Sequence, residues 1–219
     1  MAMNQASQTH QQEVIVGVLL SGGQSRRMGG GDKALRDLGG RPMLAHVIER
    51  LRPQVGPMVI NANGDASRFA AFELPVVPDT IDGFVGPLAG VLAGMMWAKA
   101  NAPDARWIAT VSTDAPFLPT DLVAKLLARI ENQPRAIAIA QSGAEVHPVI
   151  GLWPVEHAGD LESALRDGVR KVLAWTDRHG TVPVDFPFLD VAGSRVDPFF
   201  NANHPNELEE ACRILGKLS

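Results

Sequence analysis

One glycine-rich loop carries most of the residues that could do chemistry. It reads LSGGQSRRMGGGDK from Leu20 to Lys33, and its cations are Arg26, Arg27 and Lys33. Glycine lets a backbone approach a ligand closely, and exposed backbone N–H groups beside cations suit a polyphosphate. An ordinary surface loop is the alternative, which the three cations and the apolar segment directly before the loop disfavour. The loop therefore predicts a polyphosphate-binding site.

The spacing within this loop excludes two common nucleotide-binding motifs. A Walker A motif needs Gly-Lys followed by Ser or Thr, but Lys33 follows Asp32, and Lys217 is followed by Leu218. A formal GxGxxA match at 29–34 begins nine residues beyond the apolar segment. A dinucleotide-binding turn follows its strand directly, so we interpret this match as accidental.

A second candidate site follows another buried segment. The sequence STDAPFLP places Asp114 just after the apolar run WIATVS. A carboxylate at the carboxyl end of a strand can bind Mg²⁺, which takes one or two carboxylates together with phosphate oxygens and water. The alternative is an Asp that begins a turn before Pro116. Asp79, in VVPDT, is a similar candidate with a weaker case.

Two asparagine pairs and one histidine are further candidates. Asn61 and Asn63 lie at the end of a predicted strand, and Asn201 and Asn203 precede the last predicted helix. Paired amides can bind a base, a ribose or a phosphate, but Asn is also common in turns and at helix N-caps, which remains an alternative for Asn203. His147 could contact a substrate phosphate, although a lone His at a strand start is more often structural.

Alternating strands and helices must position these residues. Strands are predicted at 14–20, 58–62, 75–77, 107–112, 136–140, 147–153 and 181–186, and helices at 42–52, 66–72, 88–100, 122–131, 161–166, 169–178 and 206–218, with Gly180 as a cap. The alternation predicts an α/β fold, a mostly parallel sheet with helices on both faces. We expect a polar, disordered tail at 1–13 and a single domain at 14–219.

Composition excludes several classes of protein. The 219 residues are 46% apolar and 20% charged, which is typical of a globular chain, and the net charge of -4 disfavours nucleic acid and anionic membranes as partners. Cys212 is the only cysteine, so an intrachain disulfide is impossible and a reducing cytoplasm fits best. The longest nearly uncharged stretch, 84–98, is too short to span a membrane, and the N-terminus is not that of a signal peptide.

The order of the motifs resembles a known family. LSGGQSRRMGGGDK, VINAN, VVPDT, GPLAG, STDAPFLP, HPVIGLW and NANHPNEL follow one another as in the molybdenum cofactor guanylyltransferases, the MobA family of the nucleotidyltransferase superfamily. The resemblance extends from about Val14 to the C-terminus. Ser21 stands where the family usually has Ala, and His204 where it usually has Thr.

This resemblance implies a three-layer, Rossmann-like fold and transfer of GMP from GTP to Mo-molybdopterin, with pyrophosphate as the other product. By motif, the residues implied to bind GTP are Leu20, Ser21, Gly22, Gly23, Asn61 and Asp79, with Lys33 on the phosphates, Asp114 on Mg²⁺ (Mn²⁺ is possible), and Asn201 and Asn203 near the reacting phosphates. Our own interpretation adds Arg27 as a phosphate ligand. The family also implies transient contact with other cofactor-biosynthesis proteins and acceptor molybdoenzymes, and we expect a monomer.

Other functions remain open at this point. The sister reaction with CTP, or transfer to another sugar phosphate or alcohol phosphate, would use the same glycine loop. A GTP-binding cofactor-delivery protein without turnover would lack a catalytic residue, but Lys33 and Asp114 are both present.

Overall fold

The first apolar segment becomes an interior strand of a seven-stranded sheet. In the computed structural model, which describes residues 14–22, 32–81, 86–202 and 205–218, all six residues of this strand are buried. The strands in chain order are β1 (Ile15–Leu20), β2 (Asp37–Leu38), β3 (Arg41–Pro42), β4 (Met58–Asn61), β5 (Val76–Val77), β6 (Trp107–Ser112), β7 (Ile137–Ser142), β8 (Glu145–Pro154), β9 (Thr181–Asp185), β10 (Leu189–Val191) and β11 (Ser194–Val196). The predicted tail at 1–13 lies outside the described residues.

The large sheet is parallel except for one strand. Its order is β5-β4-β1-β6-β8-β7-β9, and β8 runs antiparallel to both β6 and β7. The other pairs, β5 with β4, β4 with β1, β1 with β6 and β7 with β9, are parallel. The prediction of a mostly parallel sheet is therefore confirmed.

Helices cover both faces of this sheet. They are α1 (Met43–Leu51), α2 (Pro87–Asn101), α3 (Leu122–Ile130), α4 (Ala158–Arg166), α5 (Val172–Thr176) and α6 (Pro205–Leu218). Buried side chains of α1 and α3 join one apolar core, and those of α2, α4 and α5 join a second core on the opposite face. The predicted three layers follow from this arrangement.

The first half of helix α2, Leu88 to Met95, is buried on all sides because it lies between the sheet and α4, whereas Met96 and the residues from Lys99 onward are exposed. The buried half therefore shows no single apolar stripe, as expected where a helix has no solvent face. Gly94 allows the close approach to β1, since a Cβ there would lie 2.6 Å from Cγ2 of Val18.

Strand β8 contains a three-residue irregularity. Ile139 pairs with Gly151, but the next residue, Ala140, pairs with His147, so residues 148–150 have no counterpart in β7. Residue 148 is proline, which has no N–H to donate and is tolerated where the ladder is interrupted. The irregularity begins directly after His147.

The structure departs from the predicted elements in the last third of the chain. The predicted helix at 169–178 is too long, because Lys171 is extended and α5 covers only Val172–Thr176, followed by a 3₁₀ turn to His179. Gly180 ends that turn with a φ of 78°, as predicted for a cap.

Two short hairpins were not predicted. Strands β2 and β3 form one, and β10 and β11 form the other. Together with α6 they contribute to a third apolar cluster. None of the helices in the described part of the chain is long and apolar enough to cross a membrane.

Candidate active site

Four parallel strands end side by side at one edge of the sheet. Leu20 at the end of β1 pairs with both Asn61 at the end of β4 and Ser112 at the end of β6, and Asn61 also pairs with Val77 of β5. Residues that follow these strands must therefore lie near one another. Ligands of open α/β sheets bind in the crevice beyond such strand ends.

An ion pair at this edge joins Lys33 to Asp114. Lys33 Nζ donates to Oδ2 of Asp114, and Oγ of Ser112 donates to Oδ1. The side chains of Lys33 and Asp114 are 17% and 18% exposed, so the pair is partly withdrawn from water but can be reached by a ligand. Two residues predicted to act on phosphates and on a metal are thus in direct contact.

Asp32 fixes the start of the short helix that carries Lys33. Its Oδ1 accepts from the Ala34 amide at 3.1 Å, and its Oδ2 accepts from Nε of Arg68 at 2.8 Å. A side chain that caps the first turn and also binds a neighbouring element restrains the backbone on which Lys33 stands. The ammonium group is therefore placed on a rigid support.

Asn61, Asn63 and Asp79 form a second polar group at the same edge. Asn61 Nδ2 donates to Asp79 Oδ1 at 3.0 Å, and Asn63 Nδ2 donates to Asp79 Oδ2 at 2.8 Å. In return the Asp79 amide donates to Oδ1 of Asn63 at 2.9 Å. The network presents carboxylate and amide groups beside the end of β1, where the Ser21 amide donates to the Asn61 carbonyl oxygen.

The first turns of α2 complete this side of the crevice. Gly86 precedes the helix with a φ of 81°, a conformation that favours glycine, and Pro87 follows at the first helical position. Gly90 packs against the asparagine, since a Cβ there would lie 2.2 Å from Oδ1 of Asn61. The GPLAG motif therefore has a steric role at the site.

The segment before α6 reaches the same region. The Ala202 amide donates to the carbonyl oxygen of Asp114 at 3.3 Å, and Asn201 beside it is exposed. This contact places Asn201 next to a residue that is bonded to Asp114, and its role near the reacting phosphates stays a prediction.

His147 does not face the crevice as a free phosphate ligand. Its side chain is buried and its Nε2 lies 2.7 Å from Oγ of Ser142. Burial lowers the pKa of His147, which outweighs the opposite effect of Asp197 and Glu145. The structural alternative for this histidine is the one that fits.

Several predicted site residues lie outside the described residues. These are Gly23, Arg26, Arg27, the glycines at 29–31, and Asn203 with its neighbour His204. Their assigned roles stay predictions.

Sequence reasoning missed the contribution of Ser112 and gave Asn63 no assigned role. A pattern in the sequence could have indicated both residues. Ser112 is two residues before Asp114, a spacing at which a hydroxyl can bind the carboxylate, and the NAN pattern at 61–63 recurs at 201–203.

Asp114 is the candidate ligand for a divalent cation. Within the ranges that the structure describes, no three His, Cys, Asp or Glu side chains converge in a way that would hold a metal ion. One carboxylate is nevertheless a normal protein contribution to a Mg²⁺ site when the substrate supplies phosphate oxygens and water supplies the rest. The residues present therefore fit a metal that arrives with a nucleotide.

Comparisons with known proteins agree with this geometry. The family of MobA-like NTP transferase domains matches residues 17–182. The structure resembles a protein from Archaeoglobus fulgidus described as molybdopterin-guanine dinucleotide biosynthesis protein A, with a TM-score of 0.70 and 23% identity over 92% of this chain and 99% of that one. This likeness supports the fold.

Sequence relatives are closer. The chain is 50% identical over 201 residues to a molybdenum cofactor guanylyltransferase of Bradyrhizobium sp. (strain ORS 278), which covers 91% of this chain and 92% of the relative. A second protein of that name, from Mesorhizobium japonicum, is 46% identical over 94% of this chain and 98% of its own length. By the domain match and by this identity along nearly the whole chain, the protein belongs to the molybdenum cofactor guanylyltransferases, a family of MobA-like nucleotidyltransferases.

Proposed function

We propose that this enzyme transfers GMP from GTP to the terminal phosphate of Mo-molybdopterin, which yields the guanine dinucleotide form of the cofactor and pyrophosphate. The observation that carries the proposal is the contact between Lys33 and Asp114 at the carboxyl ends of β1 and β6. The names of the relatives supply the identity of the substrates.

The proposed reaction needs little acid–base chemistry. The attacking group is a phosphate monoester, whose second pKa is about 6, so it is mostly ionised at neutral pH without a general base. The enzyme must instead place the attacking oxygen, the α-phosphorus and the leaving oxygen in line, and offset the negative charge on the transferred and leaving groups. A cation and a metal-binding carboxylate in contact are suited to that task.

Lys33 and Asp114 change partners in this proposal. In the structure each charge offsets the other, and Ser112 holds the second carboxylate oxygen. When a triphosphate enters, the Lys33 ammonium donates to its phosphate oxygens, and the Asp114 carboxylate would be the group that holds Mg²⁺ or Mn²⁺. A bound divalent cation supplies charge neutralisation on the α-phosphate and the leaving pyrophosphate.

The remaining predicted residues bind and orient. We assign Leu20, Ser21, Gly22 and Gly23 to the nucleotide, with Arg27 on its phosphates. Asn61 and Asp79 contact the nucleoside from the neighbouring strand ends, and their mutual hydrogen bond supports this by holding both groups in place. Asn201 and Asn203 approach the reacting phosphates from the segment before α6.

We further propose that the chain acts as a monomeric cytoplasmic enzyme, with residues 14–219 as one domain. Its single cysteine supports a reducing compartment. Transient contacts with other cofactor-biosynthesis proteins and with acceptor molybdoenzymes would deliver the product.

Pyrophosphate release in the presence of Mo-molybdopterin and Mg²⁺ tests the proposed reaction. GTP, CTP and ATP are compared in parallel at equal concentration. We expect turnover with GTP alone. Preference for CTP would place the protein with the cytidylyltransferases, and nucleotide binding without release from any of the three would favour a delivery protein.

A further inference from the structure

A chain of hydrogen bonds through the buried residues Ser142 and His147 joins the β7–β8 hairpin to Asp197, at the start of the segment that carries Asn201. Nε2 of His147 lies 2.7 Å from Oγ of Ser142, and this hydroxyl donates to Oδ2 of Asp197 at 2.7 Å. Ser142 is 1% exposed and sits at the end of β7, and Asp197 directly follows β11. These hydrogen bonds therefore connect the main sheet to the segment that begins at Asp197, which is distant in sequence.

The position of each proton follows from the chemistry of the three groups. A carboxylate only accepts, so the single hydroxyl proton of Ser142 points to Asp197. The Ser142 oxygen then accepts from His147, which must carry its proton on Nε2. Because the hydroxyl is engaged on both sides and buried, it is not available as a nucleophile.

The segment 197–202 is held at both of its ends. At its start, Oδ1 of Asp197 accepts from the Phe199 amide at 2.8 Å, and the Phe199 ring packs on His147 with 4.7 Å between ring centroids. At its end, the Ala202 amide donates to the carbonyl oxygen of Asp114. Asn201 lies between these anchors and is exposed at the crevice.

We propose that Ser142, His147 and Asp197 are positioning residues for nucleotidyl transfer: they hold segment 197–202 so that Asn201 faces the reacting phosphates opposite Lys33 and Asp114. The inference rests on the proposed function, in which Asn201 approaches those phosphates. The three residues touch no substrate and act through the backbone of the segment. Positioning of this kind has large effects, since a displacement of about 1 Å can cost about 100-fold in rate.

The first test measures amide hydrogen exchange and needs no substrate. Ser142→Ala removes the hydrogen bond between β7 and Asp197 but leaves the bond from the Phe199 amide to Asp197 intact. If Asp197 acted only through that local bond, exchange in Ser142→Ala would not change. We expect faster exchange at the Phe199 and Ala202 amides in Ser142→Ala and in Asp197→Ala. Unchanged exchange at both amides in Ser142→Ala would overturn the proposal.

Thr176→Val is the matched control. Thr176 is buried in α5, and its hydroxyl lies 2.8 Å from the hydroxyl of Thr181 and 3.5 Å from the carbonyl oxygen of Leu173, so the variant also removes the hydrogen bonds of a buried hydroxyl. We expect it to lower the melting temperature without changing exchange in segment 197–202 or turnover. If it loses turnover as Ser142→Ala does, general loss of stability explains both and the positioning role is wrong.

The second test separates turnover from nucleotide binding. Asp197→Ala should lower kcat by about tenfold or more and leave the KM for GTP within about twofold, because the nucleotide is held elsewhere. Asp197→Asn should retain most of kcat, since its amide can donate to Ser142 while its oxygen still accepts from Phe199. A higher KM for GTP with an unchanged kcat in Asp197→Ala would contradict the positioning role. So would a kcat of Asp197→Asn as low as that of Asp197→Ala.

A double-variant comparison tests whether the effect passes through Asn201. If it does, Asp197→Ala adds little to the loss that Asn201→Ala already causes. Losses that multiply would show that Asp197 acts independently and would overturn the inference, as would full activity of Asn201→Ala. A wild-type protein inactive with GTP and molybdopterin would instead contradict the proposed function, while hydrogen exchange would still report on the link itself.

Discussion

Lys33 and Asp114 come from positions 81 residues apart and meet only because β1 and β6 are neighbours in the sheet. Each is mostly covered, and each neutralises the charge of the other. Two like charges at this depth would repel, whereas this pair is tolerated without a ligand. The same two charges are then available in opposite roles toward an anionic nucleotide and a cation.

Loss of either charge should stop nucleotidyl transfer without unfolding the protein. We expect Lys33→Ala and Asp114→Ala each to lower kcat/KM by about 100-fold or more, the loss typical when a group that stabilises developing charge is removed. Pyrophosphate release measures the activity, and the melting temperature shows that the fold persists.

Arg166→Ala is the control for charge removal. Arg166 is exposed and pairs with Glu162 within α4, so its loss removes a cation and an ion pair that involve neither Lys33 nor Asp114. Its activity should match the wild type. A folded Asp114→Ala protein with full activity would refute the assignment of Asp114 to the metal.

The residue positions at strand ends could be predicted, but their contacts could not. Apolar runs mark where strands end, which placed Asn61, Asp79 and Asp114 at one edge of the sheet. The hydrogen bonds of Asp79 to two asparagines depend on strand register and on side-chain rotamers. Neither quantity can be obtained from local sequence pattern.

Helix α2 uses two glycines four residues apart, on one face, for different purposes. Gly94 allows contact with the middle of β1 at Val18, and Gly90 allows contact with the site at Asn61. A methyl group at either position meets an atom closer than van der Waals contact allows. The surrounding side chains must shift in both cases.

The two glycines should therefore respond differently to alanine. Gly90→Ala should displace Asn61 and raise the KM for GTP, because Asn61 is assigned to the nucleotide. Gly94→Ala should lower the free energy of unfolding by about 1–3 kcal/mol and leave the KM unchanged. Denaturant unfolding and GTP titration of both variants measure these effects.

Gly159→Ala in α4 provides the comparison. A Cβ at Gly159 meets nothing within 4 Å. The free energy of unfolding of this variant should therefore rise by about 0.5–1 kcal/mol, because Ala has the higher helix propensity. An unchanged KM in Gly90→Ala would show that the contact with Asn61 has no bearing on the nucleotide.

The antiparallel direction of strand β8 was not predicted from the sequence. Alternating strands and helices indicated crossovers, but hydrophobic pattern does not define direction. Only residues 143–144 separate β7 from β8, and a parallel connection cannot be that short. The predicted strands ended at 140 and began again at 147, which left six residues between them. With that spacing the short connection that requires an antiparallel pair was not visible.

Two buried histidines make the stability of the folded protein depend on pH. Burial is the main cause that lowers the pKa of both His147 and His157. Both are therefore favoured in the neutral form in the folded state, whereas they take up protons near pH 6.5 when unfolded. Their contribution to stability is complete above about pH 6.5 and is lost as the pH falls toward the folded-state values.

We expect the free energy of unfolding to decrease between pH 7 and pH 5, by at most about 1.4 kcal/mol per pH unit for each histidine. His157→Gln should make this decrease shallower, since Gln can still donate to the Arg135 carbonyl oxygen, which accepts from His157 at 2.8 Å. Urea unfolding at several pH values measures the slope. Equal slopes for the variant and the wild type would contradict this role of His157.

The pairing of β1 with β6 also has a consequence during synthesis on the ribosome. Ile15 pairs with Trp107 and Leu20 with Ser112, so the first strand to be translated must wait for nearly half of the 219-residue chain before that neighbour exists. Strand β4 can pair with one edge of β1 earlier, but until β6 is made the other edge of IVGVLL, a short, uncharged run of high β-propensity, has no partner strand. That edge therefore needs protection from aggregation while the protein is being made.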